Sequence, residues 1–132
     1  MRFEIRTPDD AARALEYFNH FHDGALESLE IRVVPGGIDG DDYGYPQRYD
    51  VDIRVVHDNY PARWNARGAP NRIALSLRDV TALQVGDVVP LRAEFGELRV
   101  TVADDGVVHL DLLGDGTVTF STRSLSIEEA AR

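Results

Sequence analysis

Near its start the chain spaces its apolar residues as a helix does. Ala11, Ala14, Leu15 and Phe18 fall on one helical stripe. Thr7 suits the N-cap and Pro8 the first helical position, and Asp9 and Asp10 complement the positive helix end. Thr7 and Asp10 have the spacing of a capping box, with Asp in place of Glu. The helix is expected to fade by Asn19 or His20, with Gly24 marking the turn out.

From there the period drops to two, the spacing of strands. Leu29, Ile31 and Val33 alternate with Glu30, Arg32 and Val34, which predicts a strand over 25–34 ended by Pro35-Gly36-Gly37. Tyr49, Val51, Ile53 and Val55 predict a second over 48–56, and Ile73, Leu75 and Leu77 a third. The phase slips at Asp79-Val80, as a bulge or bend would make it, before Leu83 and Val85. Residues 86–95 fit either a short strand near 88–94 or a loop.

The last third predicts a meander in a defined register. Asp104-Asp105-Gly106 and Gly114-Asp115-Gly116 each fit a three-residue hairpin loop with Gly in the left-handed position. Such loops set Val102 against Val108, Val100 against Leu110 and Leu98 against Leu112. The next hairpin sets Leu112 against Val118 and Leu110 against Phe120. The solvent face then carries the rows Arg99–Asp111–Thr119 and Thr101–His109–Ser121. A further slip between Phe120 and Leu125 calls for another bend. With no later helices for crossovers, the fold expected is α+β and mostly β. One N-terminal helix packs on a curved antiparallel sheet of six or seven strands, in a single domain over 1–132 that ends in a three-stranded meander.

Composition narrows the chemistry. The absence of cysteine removes disulfides, thiolate catalysis and cysteine-held metals. No apolar run has the length of a signal peptide or a membrane span, so a cytoplasmic protein without membrane contact is expected. The net charge of −9 repels phosphate backbones, which argues against nucleic acid and would speed encounter with a basic protein.

Four groups of residues invite a functional reading. His22-Asp23 precedes the first strand and His57-Asp58 follows the second. If those strands pair antiparallel, the two dipeptides meet at one sheet end, where they could hold a divalent metal or share a proton. The 36–47 segment places Asp39, Asp41, Gly44 and Asp50 at positions 1, 3, 6 and 12 of a calcium loop. Tyr43, Pro46 and the lack of flanking helices make a solvated acidic loop the better reading. His109 beside Ser121, with Asp111 on the same face, lacks the oxyanion donors and water exclusion of a hydrolase. Gly36-Gly37 precedes no helix and so is not a phosphate loop. Tyr43 and Tyr45 in the acidic loop, with Tyr60 and Trp64 in the loop at the opposite sheet end, have the character of interface anchors.

The run Phe21-His22-Asp23-Gly24-Ala25-Leu26-Glu27-Ser28-Leu29, with Leu75-Ser76-Leu77-Arg78-Asp79-Val80-Thr81-Ala82-Leu83 later, resembles a pattern of small bacterial β-rich domains. Among these are the predicted immunity proteins of the immunity protein 50 family. The resemblance implies a small cytoplasmic protein that binds and blocks a toxin, and it brings no catalytic residue with it.

Three functional classes follow. The first is a non-enzymatic, cofactor-free protein-binding domain, immunity-like, that meets a basic partner through Asp39, Asp41, Asp42, Tyr43, Tyr45, Tyr60 and Trp64. The second is a metal-binding module or metal-dependent enzyme built on His22, Asp23, His57 and Asp58. The third is a structural or oligomerisation module that pairs with a second copy through a strand edge.

Overall fold

The structure is a computed structural model that describes residues 1–21, 24–34, 48–57, 71–86, 94–95, 98–113 and 116–129. Helix α1 spans Pro8–Tyr17 and begins as the sequence predicts. The Asp10 amide donates to Thr7 Oγ1 at 3.1 Å, and the Thr7 and Arg6 amides donate to Asp10 Oδ2, each at 3.0 Å. The Thr7 and Asp10 amides, which a helix start leaves without intrahelical partners, are thereby satisfied. Ala11, Ala14 and Phe18 are buried along the expected stripe.

Eight strands among the described residues form one antiparallel sheet: β1 (Arg2–Ile5), β2 (Gly24–Val34), β3 (Arg48–His57), β4 (Asn71–Val85), β5 (Glu94–Phe95), β6 (Arg99–Val102), β7 (Val108–Asp111) and β8 (Val118–Glu129). Seven follow the path β5-β2-β3-β4-β8-β7-β6, and β1 pairs with β8 off that path. Strand β1 has no counterpart in the sequence pattern. Its four residues are too few for alternation to register, and Glu4 sits between its two inward apolar residues, Phe3 and Ile5. Gly24 opens β2 rather than a turn, pairing with Phe95. The part of the ambiguous 86–95 stretch that is described is Gly86 and β5.

The β4–β8 ribbon is the spine. Its pairs run from Ile73–Glu129 to Val85–Val118, with a register shift between Val80 and Ala82. Beside it, Asp79 takes a positive φ of 55° at the β3–β4 shift between Tyr49 and Val51, and the buried positions of β8 change phase opposite, from Thr122 to Leu125. There Thr122 is buried and its Oγ1 donates to the Arg78 carbonyl at 2.6 Å. Both phase slips in the sequence therefore belong to one bend across two paired strands. It divides the sheet into one wing of β2, β3 and the first half of β4, and another of β6, β7 and the first half of β8.

The meander wing has the predicted register. Val102 pairs with Val108, Val100 with Leu110 and Leu110 with Phe120. The Leu112 amide donates to the Val118 carbonyl at 2.9 Å. Gly106 and Gly116 have φ of +86° and +82°, values that favour glycine at each loop's left-handed position. Phe95 and Arg99, at opposite ends of the sheet path, are four residues apart, so their Cα atoms lie within about 14 Å. The sheet must therefore curl, and one apolar core fills the concavity, including Phe18, Phe21, Ile53, Leu75, Leu110 and Phe120.

Candidate functional site

The end of the sheet beneath the helix is the most specialised part of the described backbone. Asn19, His20 and Phe21 take consecutive positive φ values of 52°, 56° and 56°. Such a run costs roughly 1–2 kcal/mol per residue for L-amino acids, less where Asn or His stands. It persists because its surroundings hold it. Phe21 is fully buried and its ring stacks on the His57 imidazole, centroids 6.0 Å apart. The Phe21 amide donates to the Phe18 carbonyl at 3.0 Å, and the His20 carbonyl accepts from the Leu98 amide at 3.3 Å. An aromatic chain from Phe3 through Tyr17 and Phe18 to Phe21 packs behind the turn.

His57 closes β3 at this end and is only 2% exposed. Its Nε2 lies 2.8 Å from the Phe18 carbonyl oxygen. A carbonyl can only accept, so Nε2 carries the proton and the imidazole ties β3 to the end of the helix. Of the four proposed metal-site residues, His57 alone is described; His22, Asp23 and Asp58 lie outside the described residues. Strands β2 and β3 pair antiparallel with Ala25 opposite Val56, so Gly24 and His57 lie at the same end of the sheet. Among the described residues no group of three or more His, Asp or Glu could hold a metal ion.

Asp39, Asp41, Asp42, Tyr43, Tyr45, Tyr60 and Trp64 also lie outside the described residues. The anchors of their segments are described. Val34 pairs with Arg48 at one end of the β2–β3 pair, and His57 pairs with Asn71 at the other. The segments 35–47 and 58–70 thus attach at opposite ends of the wing.

The outer face of this wing carries an ion-pair network that the sequence did not disclose. Asp52 accepts from Arg32 at 2.6 Å and from Arg78 at 3.0 Å, and Arg32 also reaches Glu30 at 2.8 Å. Arg78 is 3.9 Å from Asp50, and Arg72 pairs with Glu27 at 3.0 Å. Partial burial pushes the Asp52 carboxyl up, but the hydrogen bonds and charges of Arg32 and Arg78 outweigh it and hold the group below its ordinary value of 3.8. Only cross-strand register brings these residues together: Glu30 stands opposite Asp52, and Asp52 opposite Ser76. A shallow concavity of about 290 Å³ lies on this face, lined by Ser28, Glu30, Asp52, Arg54, Ser76 and Glu128 among others.

On the meander wing the outward rows are as expected. Arg99 stands opposite Asp111 and Asp111 opposite Thr119, while His109 stands between Thr101 and Ser121. His109 Nδ1 is 2.9 Å from Ser121 Oγ. The pair is exposed, in an open groove of about 370 Å³. Asp111 accepts the Gly116 amide at 3.1 Å, which ties it to the β7–β8 turn. An exposed hydroxyl–imidazole contact without a water-excluding wall is a surface hydrogen bond rather than an activated nucleophile.

No protein-family model, curated protein or solved structure matches the chain. Among the described residues, no helix is long and apolar enough to cross a membrane.

Proposed function

We propose that this chain is a cytoplasmic, non-catalytic protein-binding domain of the immunity-protein type, which captures a basic partner through the segment that joins β2 to β3. The observation that carries this reading is the charge of that segment beside the charges of the strands it joins. Residues 35–47 contain Asp39, Asp41 and Asp42 and no base, whereas on the strands Glu27, Glu30, Asp50 and Asp52 each face an arginine. Acids in a segment that carries no base of its own steer a basic surface toward them, and Tyr43 and Tyr45 supply large contact area at low entropic cost. Tyr60 and Trp64 belong to the segment at the other end of the wing and would form a second contact. The immunity-protein resemblance of residues 21–29 and 75–83 points to a toxin as the partner.

The test is co-expression with each protein encoded beside the gene, read by growth and by isothermal titration of the purified pair. The reading expects rescue of growth and a complex that weakens with salt. An Asp39→Asn/Asp41→Asn/Asp42→Asn variant should bind at least about tenfold more weakly, since close charge pairs at interfaces are worth one to several kcal/mol. A complex indifferent to salt and to that variant would sink it, as would no binding to any neighbour.

The pairing of Ala25 with Val56 favours a second reading, a metal bound by His22, Asp23, His57 and Asp58. His57 Nε2 already donates to the Phe18 carbonyl, so a metal would have to take the other ring nitrogen. Melting with Zn, Mn, Ni or Ca against chelator distinguishes the two. A rise in the wild type that His22→Ala abolishes supports the metal site, and unchanged melting with every ion removes it.

A further inference from the structure

We propose that the outer edge of β2 pairs antiparallel with the same edge of a second copy of this chain, about a two-fold axis through Ile31. Strand β2 pairs with β3 on one side, and on the other, among the described residues, with β5 at Gly24 and Ala25. From Leu26 to Val34 that second side meets no strand among the described residues. Ser28, Glu30, Ile31, Arg32 and Val33 are exposed, on both faces of the strand. Ile31 is 39% exposed and Val33 60%, although Val51, opposite Ile31, is fully buried. Exposed apolar edges are templates for strand addition, and proteins usually blunt them with Lys, Pro or bulges. Between Ser28 and Val34 there is neither Lys nor Pro, and the register shift on this strand falls earlier, between Leu26 and Ser28.

The sequence of the strand selects both the occupant and the register. A two-fold edge pair is isologous, so the strand must be complementary to itself. Side chains alternate, so pairing like face with like face requires a register centred on a residue. Centring on Glu30 sets two carboxylates against each other, and centring on Arg32 sets two guanidiniums. Centring on Ile31 sets Glu30 opposite the partner's Arg32, and Arg32 opposite the partner's Glu30. The same register sets Leu29 opposite the partner's Val33 and Ile31 opposite the partner's Ile31. Ile31 is also the midpoint of the unbulged run Ser28–Val34, so this register pairs its full length. Opposite charges then alternate on one face while aliphatic residues meet on the other, the two kinds of cross-strand pair that stabilise sheets. The two 35–47 segments would leave the joined sheet on opposite sides of the axis.

Size-exclusion chromatography with light scattering tests the inference directly. An edge pair buries less area than a standard interface, so dimerisation is expected at about 100 µM, with a mass twice the 14.7 kDa of the chain. Glu30→Arg and Arg32→Glu should each raise the dimer dissociation constant by about tenfold or more, because like charges then face across the axis. Mixed in equal amounts, the two variants should dimerise again, since every facing pair in the mixed species is of opposite sign. If Arg32→Glu fails to fold when checked by circular dichroism, Ile31→Cys replaces it. In a chain with no other cysteine, oxidation should then link two copies through that position. A wild type that stays monomeric at this concentration overturns the proposal. So do variants that dimerise as the wild type does, or a mixture that stays monomeric.

Discussion

The meander wing and the β2–β3 wing are built on the same alternation, yet one closes its apolar face and the other leaves part of it open. In the meander, Val108, Leu110, Val118 and Phe120 are all essentially inaccessible. In β2, Leu26 is fully buried and Leu29 half-buried, whereas Ile31 and Val33 emerge into solvent on the same side of the strand. Their cross-strand partners differ too: Val51 is buried and Tyr49 half-buried. Alternation states which side of a strand is apolar. Whether anything lies over that side depends on the curl of the whole sheet, and the sheet curls over the meander and the helix but not over the far end of β2.

That contrast predicts unequal costs for the same kind of truncation. Phe120→Ala removes a buried ring that packs beside Leu110 and should lower the unfolding free energy by about 3–5 kcal/mol. Val33→Ala removes an aliphatic group that is mostly in water and should change it by less than about 0.5 kcal/mol. Urea denaturation at low micromolar concentration, where association is negligible, measures both. A Val33→Ala loss comparable to that of Phe120→Ala would show that the end of β2 is covered after all.

The bend between the wings is the next place to press. Asp79 sits at φ 55°, a conformation that a β-branched residue tolerates poorly, so Asp79→Val should lose roughly 1–2 kcal/mol, while Asp79→Asn should be nearly neutral. Thr122→Val should cost about 1–2 kcal/mol, since it deletes a buried hydroxyl and leaves the Arg78 carbonyl without that donor. Both are read from the same denaturation curves. Equal losses for Asp79→Val and Asp79→Asn would mean that the Asp79 carboxylate, not the backbone, matters at the bulge.

Helix capping gives a smaller effect. Thr7→Ala should cost about 1 kcal/mol, because the Asp10 amide loses its acceptor while Asp10 continues to hold the Thr7 and Arg6 amides. Asp10→Ala removes the other half of the box and tests whether the two halves add.

How much was legible in the sequence differs in the same way between the two wings. Gly106 and Gly116 fix loop length, loop length fixes register, and register fixes Thr101–His109–Ser121 down to its hydrogen bond. The phase slips at Asp79-Val80 and after Phe120 were visible separately. Their identity as one bend was not, because nothing local says that β4 and β8 pair along their whole length. The left-handed run Asn19–Phe21 was not legible, since neither Gly nor an Asn-Gly pair marks it and Phe21 is held there by its burial and by its amide's bond to the Phe18 carbonyl. The Glu30–Arg32–Asp52–Arg78 network was hidden because its members come from three strands. Of the metal-site residues, His57 reads in sequence as a strand-end ligand, and its bond to the Phe18 carbonyl depends on a helix far off in the chain. The remaining candidates belong to segments outside the described residues.

The ion-pair network also makes the two wings respond differently to acid. Asp52 has its carboxyl held below the ordinary 3.8 by Arg32 and Arg78 against the opposing effect of burial. A carboxylate with a depressed folded-state pKa binds protons less readily when folded than when unfolded. Its stabilising contribution is complete above the unfolded-state pKa and is lost as pH falls from there through the folded value. Stability should therefore decline below about pH 4, and Asp52→Asn should flatten that decline while lowering stability modestly at pH 7. Arg32, whose guanidinium is pushed up first by its hydrogen bond to Glu30 and then by that to Asp52, stays charged throughout, so the acid response belongs to the carboxylates. Backbone amide exchange at pH 3 and pH 6 locates it. Opening should begin in β2 and β3, where Asp52 bridges two arginines, and reach the meander later. On the outward face of the meander, the Asp111 carboxylate accepts the Gly116 amide of the β7–β8 turn. Simultaneous loss of protection in both wings would mean that the bend transmits the protonation of one wing to the other, and that the sheet unfolds as a single unit.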